Sequence, residues 1–491
     1  MLAAAVAILP RLRSDEPPRY DGAGYATLAR SLARGSGYRD ITHPDATAHA
    51  HFPPGYPLAL AAAFRLPGEQ TRLAHGLSVG CTLIAVWAFW RSWLGTEARR
   101  VAYLLGLALA WNWTWVRAGG AIQSEPLFLA LTGLTLLVAG WASRRGGLGR
   151  AAVVGLAVGL CILTRHVGAC LTIAIGLDWW LKGRRTVTLA MLGVASAVVA
   201  PWVAWQARVG RGTQAELFRP GTLAGLVADQ VVFYARRLPD QVFGPFVEVA
   251  TVFGRSPMVA AVATAGAFGF ASVVVLGWVR LARDPRRRLG GLVPMATVPL
   301  LLAWPFTEAG RFLVPLVPFV LEGAVEGLAA IARRLGPARR SRPIAAALVL
   351  AASIPYTAYS VIFDREGARI ATHSEFDAAC RWIAGRLDHP GPVLARHPAD
   401  VAWLTGRHAL SGDSGDIDGE IRRRRVAFLL IDDARYVNAP ASPLGSFARR
   451  SPDRVRLAWG GDGSVRVYEV RPEPGAGQGG SAGVPFPGES P

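Results

Sequence analysis

The sequence predicts a mainly α protein, a polytopic membrane helix bundle of about ten or eleven spans followed by a small C-terminal α/β domain. Three observations predict it. Hydrophobic residues make up 52% of the 491-residue chain and charged residues only 18%, where a soluble globular protein carries about 25%. The apolar residues come in blocks of about twenty, the length that crosses a hydrocarbon core of about 30 Å. The formal net charge is nevertheless +19, and the surplus is gathered in short arginine-rich connections between the blocks. A nucleic-acid binder of this basicity would carry more charge and less apolar surface. A basic disordered chain would be poor in Leu, Val and Phe.

In chain order, Met1–Leu12 is apolar but reaches only about 18 Å as a helix. It reads as an interfacial stub or as a span clipped at its start, and it lacks the basic opening of a signal peptide. A polar stretch rich in Pro, Gly, Tyr and His follows at about 13–72. Spans then fit at about 73–91, 101–117, 125–142, 151–164, 167–181, 187–206, 258–279, 290–306, 311–331 and 343–362. Those at 151–164 and 167–181 are short, which suits tilting or burial within protein. Cys81, Cys161 and Cys170 fall inside the blocks and Cys380 outside. They form neither a disulfide framework nor a zinc spacing, and small apolar filler is the expected role of the three in spans.

Five connections, 91–100, 143–150, 182–185, 280–288 and 332–342, together hold 19 basic and 2 acidic residues, a net +17. The rest of the chain holds 34 basic and 32 acidic residues. By the positive-inside rule these five connections are cytoplasmic. They alternate with the others, so 13–72, 118–124, 165–166, 207–257, 307–310 and everything after about 363 are expected outside. The chain is therefore expected to be a multi-pass protein of the plasma (inner) membrane. Trp90, Trp93, Trp111, Trp115, Trp141, Trp179, Trp180, Trp202 and Trp304 lie near span ends, as aromatic belts do.

After the last span the pattern changes. From Thr372 to Leu387, Phe376, Cys380, Ile383 and Leu387 recur at helical spacing. Val393–Ala395 and Val426–Ile431 read as strands, and Asp400–Thr405 as a short helix ended by Gly406. Val455–Trp459 and Val465–Val470 read as a hairpin about Gly461-Asp462-Gly463. The expected domains are 1–362 in the membrane, 363–470 as an extracytoplasmic α/β domain, and 471–491 as a disordered tail rich in Gly, Pro and Ser.

Chemistry is concentrated in the loop 13–72. A helix is expected at about Ala23–Ala33. Asp21, just before it, suits a helix cap, or a general base whose charge the helix N-terminus stabilises. Asp15, Glu16, Asp40 and Asp45 compete with it. His43, His49 and His51 are enough for a metal, but extended backbone points His49 and His51 to opposite sides and no helical pair exists. Solvated or substrate-facing histidines are the favoured reading, so no metal ligand is assigned and a divalent metal is left open. The run Pro53-Pro54-Gly55-Tyr56-Pro57 reads as a rigid turn outside regular structure. Tyr38, Phe52 and Tyr56 suit stacking on a sugar or resting on lipid headgroups.

YDGAGYATLARSLARGSGY at 20–38, followed by HFPPGYPLALAAA at 51–63, resembles the first outer loop of the GT-C superfamily of membrane glycosyltransferases. The resemblance is to the branch of protein O-mannosyltransferases, lipid A aminoarabinose transferases and core transferases of the RgtA/B/C/D type. QSEPLFLAL at 123–131 resembles their Ser-Glu opening of a span. GLAVGLCILTRHVG at 155–168 resembles their Gly-rich span ending in Thr-Arg, and RFLVPLVPF at 311–319 their late Arg-aromatic-Leu-x-Pro span. The resemblance covers about residues 15–335. Many relatives have Asp-Glu where this chain has Asp21-Gly22, so a second acid is either missing at that site or supplied by Glu125 or Asp15.

The resemblance implies transfer of a sugar from a polyprenyl-phosphate-linked donor to a hydroxyl of a glycolipid, glycan or protein. Transfer would occur at the extracytoplasmic membrane face with inversion; the partners are donor, acceptor and lipid bilayer, without nucleic acid. Phosphate leaves as an anion, so one carboxylate base suffices, while a cation must meet the phosphate. Arginine forks match phosphate oxygens. The implied roles are Asp21 as base, Glu125 as the acid that completes or shapes the site, and Arg165 and Arg311 on the lipid phosphate. Glu308, three residues before Arg311, would orient it. Tyr25, Tyr38, His51 and Tyr56 would face substrate. Without a ligand the two arginines would simply snorkel to headgroups. The alternative is a polytopic transporter or flippase of lipid-linked sugars, which would place ionisable residues near mid-span in two related halves.

Overall fold

The computed structural model describes residues 2–9, 15–210, 223–245, 256–335, 340–363, 371–413, 416–433, 442–460 and 463–471, which fall into two compact units. The expected tail from 472 onwards, part of the connection 207–257, and Gly461 and Asp462 of the expected hairpin turn lie outside the described residues.

The first unit comprises Met1–Ser14, Ala50–Tyr56 and Arg72–Arg365. Among the described residues, six of its helices are long and apolar enough to cross a membrane: Gln70–Thr96, Ser124–Arg144, Arg185–Val209, Pro257–Arg283, Gly310–Leu335 and Ser341–Ser360. Three shorter apolar helices, Leu148–Thr164, His166–Leu181 and Arg288–Ala303, accompany them. The chain is thus a multi-pass membrane protein. Gly310–Leu335 is the central helix, 89% buried over its most apolar stretch, whereas Pro257–Arg283 is only 17% buried. These two nevertheless touch closely. A Cβ on Gly277 would stand 1.9 Å from the carbonyl of Gly323, and one on Gly327 2.0 Å from that of Val273. Small residues let membrane helices approach to backbone contact.

The expected span 101–117 is not one helix. It breaks into Arg99–Ala110 and Trp113–Gly119, because the Asn112 side chain caps the second helix by accepting the Trp115 N–H at 3.1 Å. The stub is a helix, Leu2–Ile8, with Ala4 and Ile8 buried. Helices Leu223–Arg237 and Asp240–Phe243 fall in the connection 207–257, where no element was expected. The late span starts as a 3-10 helix, Glu308–Leu316, since Pro315 has no N–H to give and Gly310 has φ 86°.

The five arginine-rich connections meet at one end of this bundle. Glu97 of the first pairs with Arg287 of the fourth at 2.5 Å and with Arg342 of the fifth. Glu326 pairs with Arg280, Arg287, Arg333 and Arg342 of the fourth and fifth. Asp178 bridges Lys182 of the third, at 2.7 Å, to Arg288 of the fourth, at 3.5 Å. Lys182 and Arg184 in turn donate to Ser143 and the Ala142 carbonyl beside the second. Part of the basic surplus is therefore satisfied internally by buried carboxylates, beyond any role at the lipid surface.

The second unit comprises Asp15–His49, Pro57–Thr71 and Glu366–Pro491. Its sheet has Val393–Ala395 flanked in parallel by Ala409–Ser411 and Phe428–Ile431. Arg466–Val470 pairs antiparallel with Phe428–Ile431, and Val455–Trp459 closes the edge. The strand Ala409–Ser411 and the helices Ile417–Arg424 and Pro443–Arg450 were not anticipated, being short and strongly polar or bounded by turn residues. One core packs Phe376, Cys380 and Ile383 of the helix Ala371–Ala384 onto Val393, Phe428 and Val467, the helical stripe read from the sequence. The sequence assigns the loop 13–72 to the membrane domain, whereas by packing most of it joins this sheet unit. Arg19 forks onto Asp377 at 2.9 and 2.8 Å, Arg30 lies 3.5 Å over the Trp403 ring, and Arg424 grips Asp45 at 2.6 and 2.5 Å.

Candidate functional site

At the end of the bundle opposite the basic connections, a buried acid holds two arginines. Glu125 is the second residue of the helix Ser124–Arg145, where the N-terminus favours a carboxylate. Its side chain is fully buried. Arg165 Nη1 stands 2.8 Å from Glu125 Oε1 and donates to Ser124 Oγ at 2.8 Å. Arg311 donates through Nε to Oε1 at 2.5 Å and through Nη2 to Oε2 at 3.3 Å. Its Nη1 reaches Glu308 Oε2 at 3.0 Å. Glu308 has φ 39°, a left-handed backbone that costs a non-glycine residue about 1–3 kcal/mol, and its side chain is half exposed, at 45%.

Local sequence explains how each group gets there. Arg165 follows the last residue of Leu148–Thr164 in extended backbone. Glycines of that helix seat it on Arg185–Val209: a Cβ on Gly155 would lie 2.5 Å from the Met191 carbonyl, and one on Gly159 2.6 Å from Val198. The Gly-rich run that precedes Thr164-Arg165 is thus a packing face that fixes where the arginine emerges. Two guanidiniums face one fully buried carboxylate, and the partly exposed Glu308 at Arg311 brings the cluster to formal neutrality. Each guanidinium has five N–H donors in a planar fork, so the group suits an oxyanion such as phosphate.

In the same unit, His51 is exposed with its ring edge-on to Phe52 at 5.0 Å, and Tyr56 is fully buried. Gly55 lies against the end of Leu148–Thr164, where a Cβ would meet the Leu163 carbonyl at 2.7 Å. The run 53–57 is only partly the rigid turn that was expected. A helix, Gly55–Ala63, begins inside it, because proline is tolerated in a first turn.

Asp21 belongs to the sheet unit. It is the first residue of the helix Asp21–Ala33, and the capping position is Tyr20 rather than Asp21. Tyr20 has φ 53° and ψ −127°, and its N–H donates to Asp400 Oδ1 at 2.7 Å. Its ring stands edge-on to His397 at 5.4 Å. Tyr25 is buried one turn on. Tyr38 meets His49 edge-on at 5.6 Å, and burial, with Tyr25 adding to it, raises its hydroxyl well above the usual tyrosine range. Tyr38 therefore stays protonated near neutrality.

Two of the competing acids are engaged locally. Asp40 Oδ1 accepts the Thr42 N–H and hydroxyl at 3.0 and 2.5 Å. The hydrogen bond from Arg424 holds the Asp45 carboxyl below the usual carboxylate range, which makes it a poor base. Asp15 and Glu16 precede the helix, Asp15 exposed and Glu16 half-buried. Of the three histidines, His43 Nδ1 accepts the Asp45 N–H at 3.1 Å, while His49 and His51 face different rings. Among the described residues no group of three or more His, Cys, Asp or Glu is placed to hold a metal. The structure thus joins Glu125, Arg165, Arg311 and Glu308 in one cluster, and gathers Asp21, Tyr25 and Tyr38 in the sheet unit. Arg19, Asp377, His397 and Asp400 were missed, because no local signal links residues more than three hundred positions apart.

No protein-family profile and no curated protein matches the chain. Solved structures do. ArnT from Cupriavidus metallidurans bound to undecaprenyl phosphate superposes with a TM-score of 0.55 at 17% identity, over 95% of this chain and 97% of that one. The archaeal oligosaccharyltransferase AglB from Archaeoglobus fulgidus, in complex with an inhibitory peptide and a dolichol-phosphate, gives 0.52 at 12% identity, over 88% and 69%. The same oligosaccharyltransferase tethered to an acceptor peptide gives 0.53 at 11%, over 88% and 68%. At such identities the likeness is one of fold: the chain shares the fold of these ArnT and oligosaccharyltransferase structures, the kind of membrane protein that the loop and span motifs resemble.

Proposed function

We propose that the chain is an integral membrane glycosyltransferase. It moves a sugar from a polyprenyl-phosphate-linked donor to a hydroxyl of a glycolipid, glycan or protein at the extracytoplasmic face of the plasma membrane. The observation that carries this reading is the cluster in which buried Glu125 holds Arg165 and Arg311, at the bundle end away from the basic connections. Its setting is a fold shared with an ArnT bound to undecaprenyl phosphate. The arginines meet the lipid phosphate and stabilise the charge that grows on it as it leaves. Asp21 takes the proton of the acceptor hydroxyl. The acceptor oxygen then bonds to the anomeric carbon from the face opposite the phosphate, and the polyprenyl phosphate departs with the bonding electrons, which inverts the centre. Tyr38 and His51 contribute to holding sugar or acceptor, the buried Tyr25 and Tyr56 act only through the packing behind them, and Glu308 steadies Arg311.

The test is mass spectrometry of envelope glycolipids and glycoproteins from a strain deleted for the gene and complemented with variants. Loss of one sugar residue on deletion, restored by the wild type but not by Asp21→Asn, is the expected result. An unchanged sugar profile on deletion overturns the transferase reading. Separately, binding of undecaprenyl phosphate to the purified chain should weaken about 10–100-fold in Arg311→Ala, the loss expected when a charge-assisted bond of about 1.5–3 kcal/mol disappears.

A further inference from the structure

We infer that Asp400, assisted by Asp377, is a positioning residue for Asp21, so that the C-terminal sheet sets the conformation from which the base acts. This rests on the assignment of Asp21 as base. The two residues before Asp21 are gripped at three points. Both oxygens of Asp377 accept from Arg19 Nη2 at 2.9 and 2.8 Å, with both side chains largely buried. Asp400 Oδ1 accepts the Tyr20 N–H at 2.7 Å, and Asp400 is fully buried. The Tyr20 ring packs edge-on against His397 at 5.4 Å.

Tyr20 needs that grip. At φ 53° it occupies left-handed backbone that a tyrosine adopts only when its surroundings impose it. The Arg19 and Tyr20 carbonyls accept the Gly22 and Ala23 N–H groups at 2.9 and 3.1 Å within the turn, and Asp377 and Asp400 add a hold on the same two residues from the sheet side. His397 and Asp400 follow the strand Val393–Ala395, at its carboxyl end, where α/β sheets gather functional groups. If the Tyr20 N–H loses the carboxylate, Tyr20 relaxes toward negative φ, the first turn rotates, and the Asp21 carboxylate swings with it. A displacement of about 1 Å is enough to lower a rate about a hundredfold.

The experiment uses the full chain in the deletion strain and reads, per unit of protein, the envelope sugar that Asp21→Asn fails to restore. Asp400→Ala should lower that product tenfold or more. Asp400→Asn, whose amide oxygen still accepts an N–H, should recover at least half of it. Arg19→Asp and Asp377→Arg should each lose product, and together regain it. Hydrogen exchange on the purified full chain should show residues 19–25 exchanging at least tenfold faster in Asp400→Ala and near the wild-type rate in Asp400→Asn. Wild-type product from Asp400→Ala, beside none from Asp21→Asn, overturns the inference and leaves the transferase reading standing. Unchanged exchange in Asp400→Ala overturns it as well. Full product from Asp21→Asn removes the base assignment instead.

Discussion

Glu125 shows at the scale of a residue why a charge in a membrane protein is placed rather than scattered. Two guanidiniums near the end of a bundle would each be costly to bury alone; one buried carboxylate pairs with both, and Glu308 adds a second negative charge at Arg311. Removing it should be severe. Glu125→Ala is expected to destabilise the protein by about 3–5 kcal/mol, because it leaves the largely buried Arg165 without its carboxylate. Thermal unfolding in detergent checks this, and adding Arg165→Ala should return part of the loss, a coupling that a double-mutant cycle measures. Arg311→Lys keeps the charge but not the fork onto both oxygens of Glu125. It should therefore bind undecaprenyl phosphate more weakly than the wild type while folding nearly as well. The participants of this cluster were legible in the sequence as acidic and basic residues at span ends. Their mutual pairing was not, since Glu125 and Arg311 are 186 positions apart.

Among elements, the contact between Pro257–Arg283 and Gly310–Leu335 depends on what is missing from it. Gly277→Val would drive side-chain atoms into the Gly323 backbone, and should cost at least the about 1–3 kcal/mol of an overpacked core. Gly266→Ala on the same helix meets nothing within 4 Å, and should leave the melting temperature unchanged or slightly raised through better helix propensity. Comparing the two by thermal unfolding separates packing from propensity. Most of the long helices could be located from apolar runs alone, because one helix of about twenty residues satisfies its own backbone without help from elsewhere. The break at Asn112 could not, since an apolar run reads the same whether one helix or two pass through it. The short sheet strands of three to five residues were legible only where apolar residues ran together.

For the whole molecule, the alternation of basic and neutral connections carries the orientation. All five basic connections converge on one bundle end, four of them through Glu97, Glu326 and Asp178 and the second through hydrogen bonds from Lys182 and Arg184. If the positive-inside rule holds for them, that end faces the cytoplasm. The four native cysteines are buried, so introduced cysteines report cleanly. Ser36→Cys should react with a membrane-impermeant thiol reagent on intact spheroplasts, whereas Gly149→Cys should react only after the membrane is opened. The reverse pattern would turn the molecule over and remove the extracytoplasmic assignment.

Composition, charge spacing and apolar periodicity by themselves determined that this is a helical membrane protein with a small α/β unit after its spans. They also singled out one polar loop and a few charges at span ends. These are properties of single elements, fixed by the solvent that each segment must face. Only the tertiary structure decided that the loop's Asp21 helix packs with the C-terminal sheet, that Tyr20 is held in left-handed backbone by Asp400, and that Glu125 gathers both arginines. Those outcomes depend on hydrogen bonds and ion pairs between residues far apart in the chain, whose geometry no local pattern encodes.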